Sequence, residues 1–124
     1  MQPPNLAARL KPAFKRQCGN GCICGGKGIC DQKNCVYLIV CRICQKEYCG
    51  ETSKTLRSRV KAHCPQTSSN VYRHFQREHY KQPSAPDLVI SILEFHCINT
   101  LHRLAAEKTH INRRHCALNI QLAS

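Results

Sequence analysis

CVYLIVCRICQKEYCGETSKTLRSRVKAH, residues 35–63, contains the change of hydrophobic period on which the fold turns. Val36 to Val40 is an unbroken apolar, largely β-branched run and reads as a strand. Alternation places Tyr37 and Ile39 on one face and Val36, Leu38 and Val40 on the other. Gln45 to Gly50 reads as its hairpin partner, joined through Cys41-Arg42-Ile43-Cys44, and Gly50 leaves that strand's end open to close approach. Past Gly50 the period lengthens. Leu56, Val60 and Cys64 recur every fourth residue, which predicts an amphipathic helix over Ser53 to His63, capped by Thr52 or Ser53. Arg59 and His63, four apart, share one face of it.

Working outward, Pro65 to Asn70 reads as a linker and Val71 to Arg77 as a short helix with an aromatic pair, Tyr72 and Phe75. Pro83 to Pro86 interrupts the chain, and Leu88 to Phe95 is a second convincing strand. Asn99 or Thr100 then caps a last helix to about Arg114, with Leu101, Leu104, Ala105 and Ile111 on its inner side. Upstream, residues 1–17 are a basic lead-in punctuated by Pro3, Pro4 and Pro12, and residues 18–34 are rich in Cys and Gly. The expected division is therefore 1–17, 18–34 and a folded domain over 35–124.

Of the 124 residues, 19 are Lys or Arg and 7 are Asp or Glu, a net charge of +12 that points to a polyanionic partner. No run of 18 or more apolar residues predicts a membrane span, and the N-terminal stretch lacks the apolar segment of a secretory signal. Eleven Cys is an odd number, and without a signal the expected compartment is reducing. Setting those Cys aside leaves a thin core with no Trp, and a domain this small then needs a staple.

The Cys and His spacing offers one. Cys41-x2-Cys44 at the hairpin tip and His74-x4-His79 on the short helix make a Cys2His2 zinc site. The 29 residues between Cys44 and His74 are far more than the roughly 12 of a DNA-reading finger, so the site is structural. Cys18, Cys22, Cys24 and Cys30 form a second candidate zinc set; Cys35 competes for a place in it, and disulfide formation is the alternative. Cys64, Cys97 and Cys116 are isolated and read as ordinary buried thiols. Lys54, Arg57, Arg59, Lys61, Arg73, Arg77 and Lys81 cluster around the first helices, and Arg113, Arg114 and His115 end the last one. This is a phosphate-tracking surface. With no aromatic stripe for stacking single strands, duplex DNA is the expected substrate.

The ordered set of CVY (35–37), YCG (48–50), Arg59, His63 and Glu107-Lys108-Thr109-His110-Ile111 resembles the GIY-YIG endonuclease core over roughly residues 35–114. Cys35 and Cys49 replace the family's usual neighbours of the two tyrosines, and His110 stands where Trp is common. YLIVCRIC, YCGETSKTLRSR and HFQREH are most similar to the GIY-YIG domain of Penelope-like retroelements. The resemblance implies an α/β (α+β) nuclease fold, a small three-stranded antiparallel sheet flanked by helices and carrying a zinc-binding insertion. It implies a site of Tyr37, Tyr48, Arg59, His63 and Glu107.

Phosphodiester hydrolysis needs an activated water, a cation on the phosphate and neutralisation of developing charge. Glu107 would hold Mg²⁺ or Mn²⁺, Arg59 would grip the phosphate, and Tyr37 or Tyr48, its pKa lowered by neighbouring cations, would take the water's proton. His63 would relay protons or bind a flanking phosphate. By the same resemblance, nicking would prime reverse transcription in the nucleus, with a reverse transcriptase or element RNA as further partners. Since 124 residues contain no reverse transcriptase, the chain is expected to be a detached domain, a remnant or a host derivative. The rival is a zinc-stapled DNA-binding module of the same fold without turnover. A third class, a zinc-mediated protein-interaction domain, predicts no salt-dependent DNA binding.

Overall fold

The computed structural model describes Cys24 and residues 26–119. Strands β1 (Cys35–Cys41), β2 (Glu47–Thr52) and β3 (Leu88–Glu94) form one antiparallel sheet in the order β2-β1-β3. Helix α1 (Leu56–His63) follows the hairpin, and α2 (Asn70–His74) runs directly into a π turn (Phe75–His79). Helix α3 (Thr100–Arg114) follows β3. The class is α+β, with a three-stranded antiparallel sheet and three helices, as expected.

Strand β1 is central and buried on both faces, which is why its sequence is apolar throughout. Tyr37, Ile39 and Cys41 join Leu56, Val60, Val71, Phe75, Leu88 and Ile90 in one core, beneath α1 and α2. Val36 and Leu38 join Cys49, Cys97 and Cys116 in the other, with Val40, Ala106 and Ile111 packed against it. The two faces fall as the alternation predicted. Each fully buried aliphatic side chain contributes roughly 1.5–3 kcal/mol relative to exposure. Two such layers on one strand are how a chain without Trp closes.

The hairpin sets Tyr37 opposite Gly50 and Ile39 opposite Tyr48, so both tyrosines lie on the α1 side. Helix α1 starts later than expected, at Leu56 with Thr55 as its cap, whose Oγ1 accepts from Ser58 N at 3.2 Å. Thr52 still belongs to β2, and its hydroxyl accepts from Lys54 N at 3.0 Å instead. Leu56 N and Arg57 N, which no turn of the helix can satisfy, donate to the carbonyls of Gln32 and Cys30 at 2.9 and 2.8 Å. The described part of the Cys-rich segment is thus docked on the start of α1.

Helix α3 also departs from expectation. Asn99 is its cap, accepting from His102 N at 2.9 Å. Leu101, Leu104 and Ala105, expected inside, are exposed. The inward stripe is Arg103, Ala106, Glu107, His110 and Ile111, at helical spacing. Arg103 sets it. Its guanidinium is buried and donates to Glu51 Oε1 (2.8 Å), Asn34 Oδ1 (3.2 Å) and Thr100 Oγ1 (3.0 Å). After α3, Asn119 clasps the outer edge of β2. Its Oδ1 accepts from Cys49 N and its Nδ2 donates to Cys49 O, both at 2.7 Å.

Candidate active site and candidate metal centre

Four predicted site residues converge where β1, β2 and α1 meet. Tyr37 Oη lies 2.8 Å from His63 Nε2, and Arg59 Nε donates to the same oxygen at 3.3 Å. Tyr48 packs edge-on against the His63 ring with centroids 5.0 Å apart, and the two tyrosine rings lie 6.4 Å apart. Glu107 reaches the group from α3 through its charge, acting on both phenols and answered by Arg59.

The electrostatics follow from burial. Tyr37 has no exposed surface, and loss of solvation drives its phenol well above the ordinary range; Tyr48 adds to the rise and Arg59 opposes it. Burial also raises Tyr48, again against Arg59. The expectation that neighbouring cations would lower a tyrosine pKa is therefore corrected, because desolvation outweighs the guanidinium. Burial and the Arg59 charge push His63 down to about 4, so its ring is neutral near pH 7. Glu107 is half-buried and raised by that burial and by the Glu51 carboxylate, with Arg59 opposing.

Tyr48, Arg59 and His63 line an open cavity of about 250 Å³ together with Gln66, Ser68 and Asn70. Ser69 lies on its wall, with Oγ 2.8 Å from His63 Nδ1. The same oxygen caps α2, accepting from Val71 N at 3.2 Å and Tyr72 N at 3.5 Å. Tyr37 is behind this wall. A polar cavity holding a guanidinium, a phenol and neutral imidazole is suited to an anionic ester. Ser69, Glu51 and Arg103 were not foreseen as part of this neighbourhood. A serine preceding a helix start is a cap signal that marks Ser69, whereas the Glu51–Arg103 pair has no local signature.

The second constellation is Cys41, Cys44, His74 and His79, whose ligand atoms all lie within 4.8 Å of one another. Among the described residues it is the one group of this kind. Cys41 Sγ is 3.3 Å from His79 Nε2, Cys44 Sγ is 3.2 Å from His74 Nε2, and the two Nε2 atoms are 3.2 Å apart. Residues five apart do not share an α-helical face, and the wider π turn brings His79 back to His74. Two sulfurs and two imidazole nitrogens aimed at one point are, once the thiols and those nitrogens are deprotonated, a donor set that fits a tetrahedral, zinc-type cation.

Of the second proposed Cys set, Cys18 and Cys22 lie outside the described residues, as does the 1–17 lead-in; Cys24 and Cys30 are buried. Among the expected DNA contacts, Lys54, Lys61 and Arg77 are exposed. Arg57 is 3.6 Å from Asp31, and Arg73 donates to Thr67 O at 3.4 Å. All five lie on α1, α2, the π turn or the loop before α1, the side of the sheet that carries the cavity.

A small α+β domain that gathers two tyrosines, an arginine and a histidine at a polar cavity, with a glutamate acting on them through its charge, is of a nuclease kind. Comparison with family models matches residues 33–115, more than half of the chain, to the GIY-YIG catalytic domain. The chain belongs to that family, whose nucleases are metal-dependent and take nucleic acid as substrate. No curated protein and no solved structure matches it. Among the described residues, no helix is long and apolar enough to cross a membrane.

Proposed function

We propose that this protein is a metal-dependent endonuclease that nicks duplex DNA. The observation that carries the reading is the hydrogen-bonded set of Tyr37, Arg59 and His63, placed behind a cavity that Tyr48 lines and within the field of Glu107. Arg59 would take a phosphate oxygen with its guanidinium while holding the Tyr37 oxygen through Nε. Tyr48 presents its phenol to the cavity, and Tyr37, once ionised, supplies the proton acceptor behind it. Glu107, with oxygen donors only, fits Mg²⁺ or Mn²⁺. Such an ion, when bound, supplies positive charge to the phosphate and acidity to water.

Cys41, Cys44, His74 and His79 would hold structural Zn²⁺, tying the hairpin loop to the π turn. Lys54, Arg57, Lys61, Arg73 and Arg77 would track DNA phosphates. The likeness of YLIVCRIC, YCGETSKTLRSR and HFQREH to Penelope-like elements supports a finer reading. In it, the nick supplies a 3′-hydroxyl primer for a reverse transcriptase in the nucleus, with element RNA as a further partner. Burial that raises both phenols favours the rival, a DNA-binding module of this fold without turnover.

Supercoiled-plasmid nicking by zinc-loaded protein, with and without Mg²⁺, separates them. Metal-dependent nicking that Glu107→Gln lowers by at least about 100-fold, with DNA affinity retained, is the expected result. Tight, salt-dependent DNA binding without nicking by folded, zinc-loaded protein would favour the rival.

A further inference from the structure

Tyr37 has no exposed surface, yet to act as the proton acceptor of the proposed nuclease its phenol must lose a proton. The neighbouring hydrogen bonds offer a route out. Arg59 Nε donates to Tyr37 Oη, and His63 Nε2, 2.8 Å away, is placed to accept the phenol's own proton. His63 is neutral, so with the phenol proton on its Nε2 side its own proton would sit on the other nitrogen, Nδ1, 2.8 Å from Ser69 Oγ. A serine oxygen has two lone pairs. On Ser69 one accepts the cap bond from Val71 N at 3.2 Å, with Tyr72 N at 3.5 Å at the limit of bonding, and the other would accept His63 Nδ1–H. The Ser69 hydroxyl proton then remains free to point into the cavity whose wall it forms.

We propose that Ser69 is the outlet of a proton relay, Tyr37 Oη to His63 Nε2, His63 Nδ1 to Ser69 Oγ, and Ser69 to cavity water. In one passage the Tyr37 O–H bond breaks as His63 Nε2–H forms. His63 Nδ1–H breaks as a new Ser69 O–H forms, and the proton originally on Ser69 passes to a water molecule. Tyr37 ends as phenolate, His63 as the opposite neutral tautomer, and Ser69 unchanged. The phenolate then receives two donated hydrogen bonds, from Arg59 and from His63. Because His63 swaps tautomers rather than gathering charge, the relay suits a ring whose imidazolium form is disfavoured by burial.

The kinetic arm of the test rests on the nuclease reading, and the spectroscopic arm does not. Ser69→Thr keeps the cap and the hydroxyl. Ser69→Asn keeps a strong cap but puts an amide where a proton must pass. In plasmid nicking, Ser69→Thr is expected to stay within about threefold of the unmodified protein, whereas Ser69→Asn loses at least about tenfold in kcat with KM for DNA unchanged. Nitrogen-15 NMR of the His63 ring in DNA-free protein is expected to show a neutral ring protonated on Nδ1. A ring protonated on Nε2, a Ser69→Asn protein as fast as the unmodified one, or a Ser69→Thr protein as slow as Ser69→Asn would each overturn the relay. Failure of the unmodified protein to nick DNA would overturn the nuclease reading, and the NMR tautomer would then decide the relay alone.

Discussion

A Cβ placed on Gly50 would run into the hydroxyl of Tyr37, its partner across the β1–β2 pair. The backbone at Gly50 has no unusual φ, so the requirement for glycine is one of space. Tyr37 cannot retreat, because its oxygen is held by His63 and Arg59 and its ring is wholly buried. Gly50→Ala should therefore cost about 1–3 kcal/mol in stability, the usual penalty of overpacking. It should also reduce nicking beyond what the lost stability explains, which denaturant titration beside plasmid cleavage would reveal. Unchanged stability would mean that the phenol has somewhere to go.

Cys44 is exposed, and a surface substitution without special partners changes stability by less than about 0.5 kcal/mol. As a zinc ligand it behaves otherwise, since lost metal affinity is lost folding free energy. Cys44→Ser is expected to lower the melting temperature by several degrees and to remove zinc from the purified protein, read by calorimetry and metal analysis. Full zinc content with an unchanged melting curve would remove Cys44 from the metal centre.

The His63 shift fixes an acid limb of stability. Unfolded, the ring takes a proton near its ordinary value; folded, it does so only at about 4. The unfolded chain therefore binds more protons between those values. The native state keeps this contribution above about pH 6.5 and loses it as pH falls toward 4, by an amount on the order of 3 kcal/mol. His63→Asn should flatten that part of the stability curve in urea titrations at neutral and acid pH. An equally steep fall in the variant would place the acid sensitivity elsewhere, and His74, also lowered by burial, is the next group to test.

The parts of the fold that sequence made legible are those with local causes. Val36 to Val40 alternates because both its faces are packed, and Asn99 caps α3 because a short amide side chain before a helix does so. The failures share a different cause. Thr52 was a plausible cap, but it remains in the sheet, and Gln32 and Cys30 supply carbonyls to the helix start from upstream. Leu101 and Leu104 looked internal until Arg103 met Glu51 on β2, a pairing that no periodicity encodes. At the candidate site, the meeting of Tyr37, Arg59 and His63 was foreseeable from their order along the chain, and that of Cys41, Cys44, His74 and His79 from their spacing. Ser69 was dismissed as linker because its second hydrogen-bond partner is His63, on another helix.

The clasp of Asn119 on Cys49 has a counterpart on the far side of the sheet, where Lys27 Nζ donates to Ile90 O at 2.6 Å. One side chain thus interrupts the middle of each outer strand. A row of free backbone groups on a flat strand invites another copy to add on, and blunted edges deny it that template. Many copies of so basic a chain crowding one polyanion would meet at high local concentration, and this sheet is built to stay three strands wide.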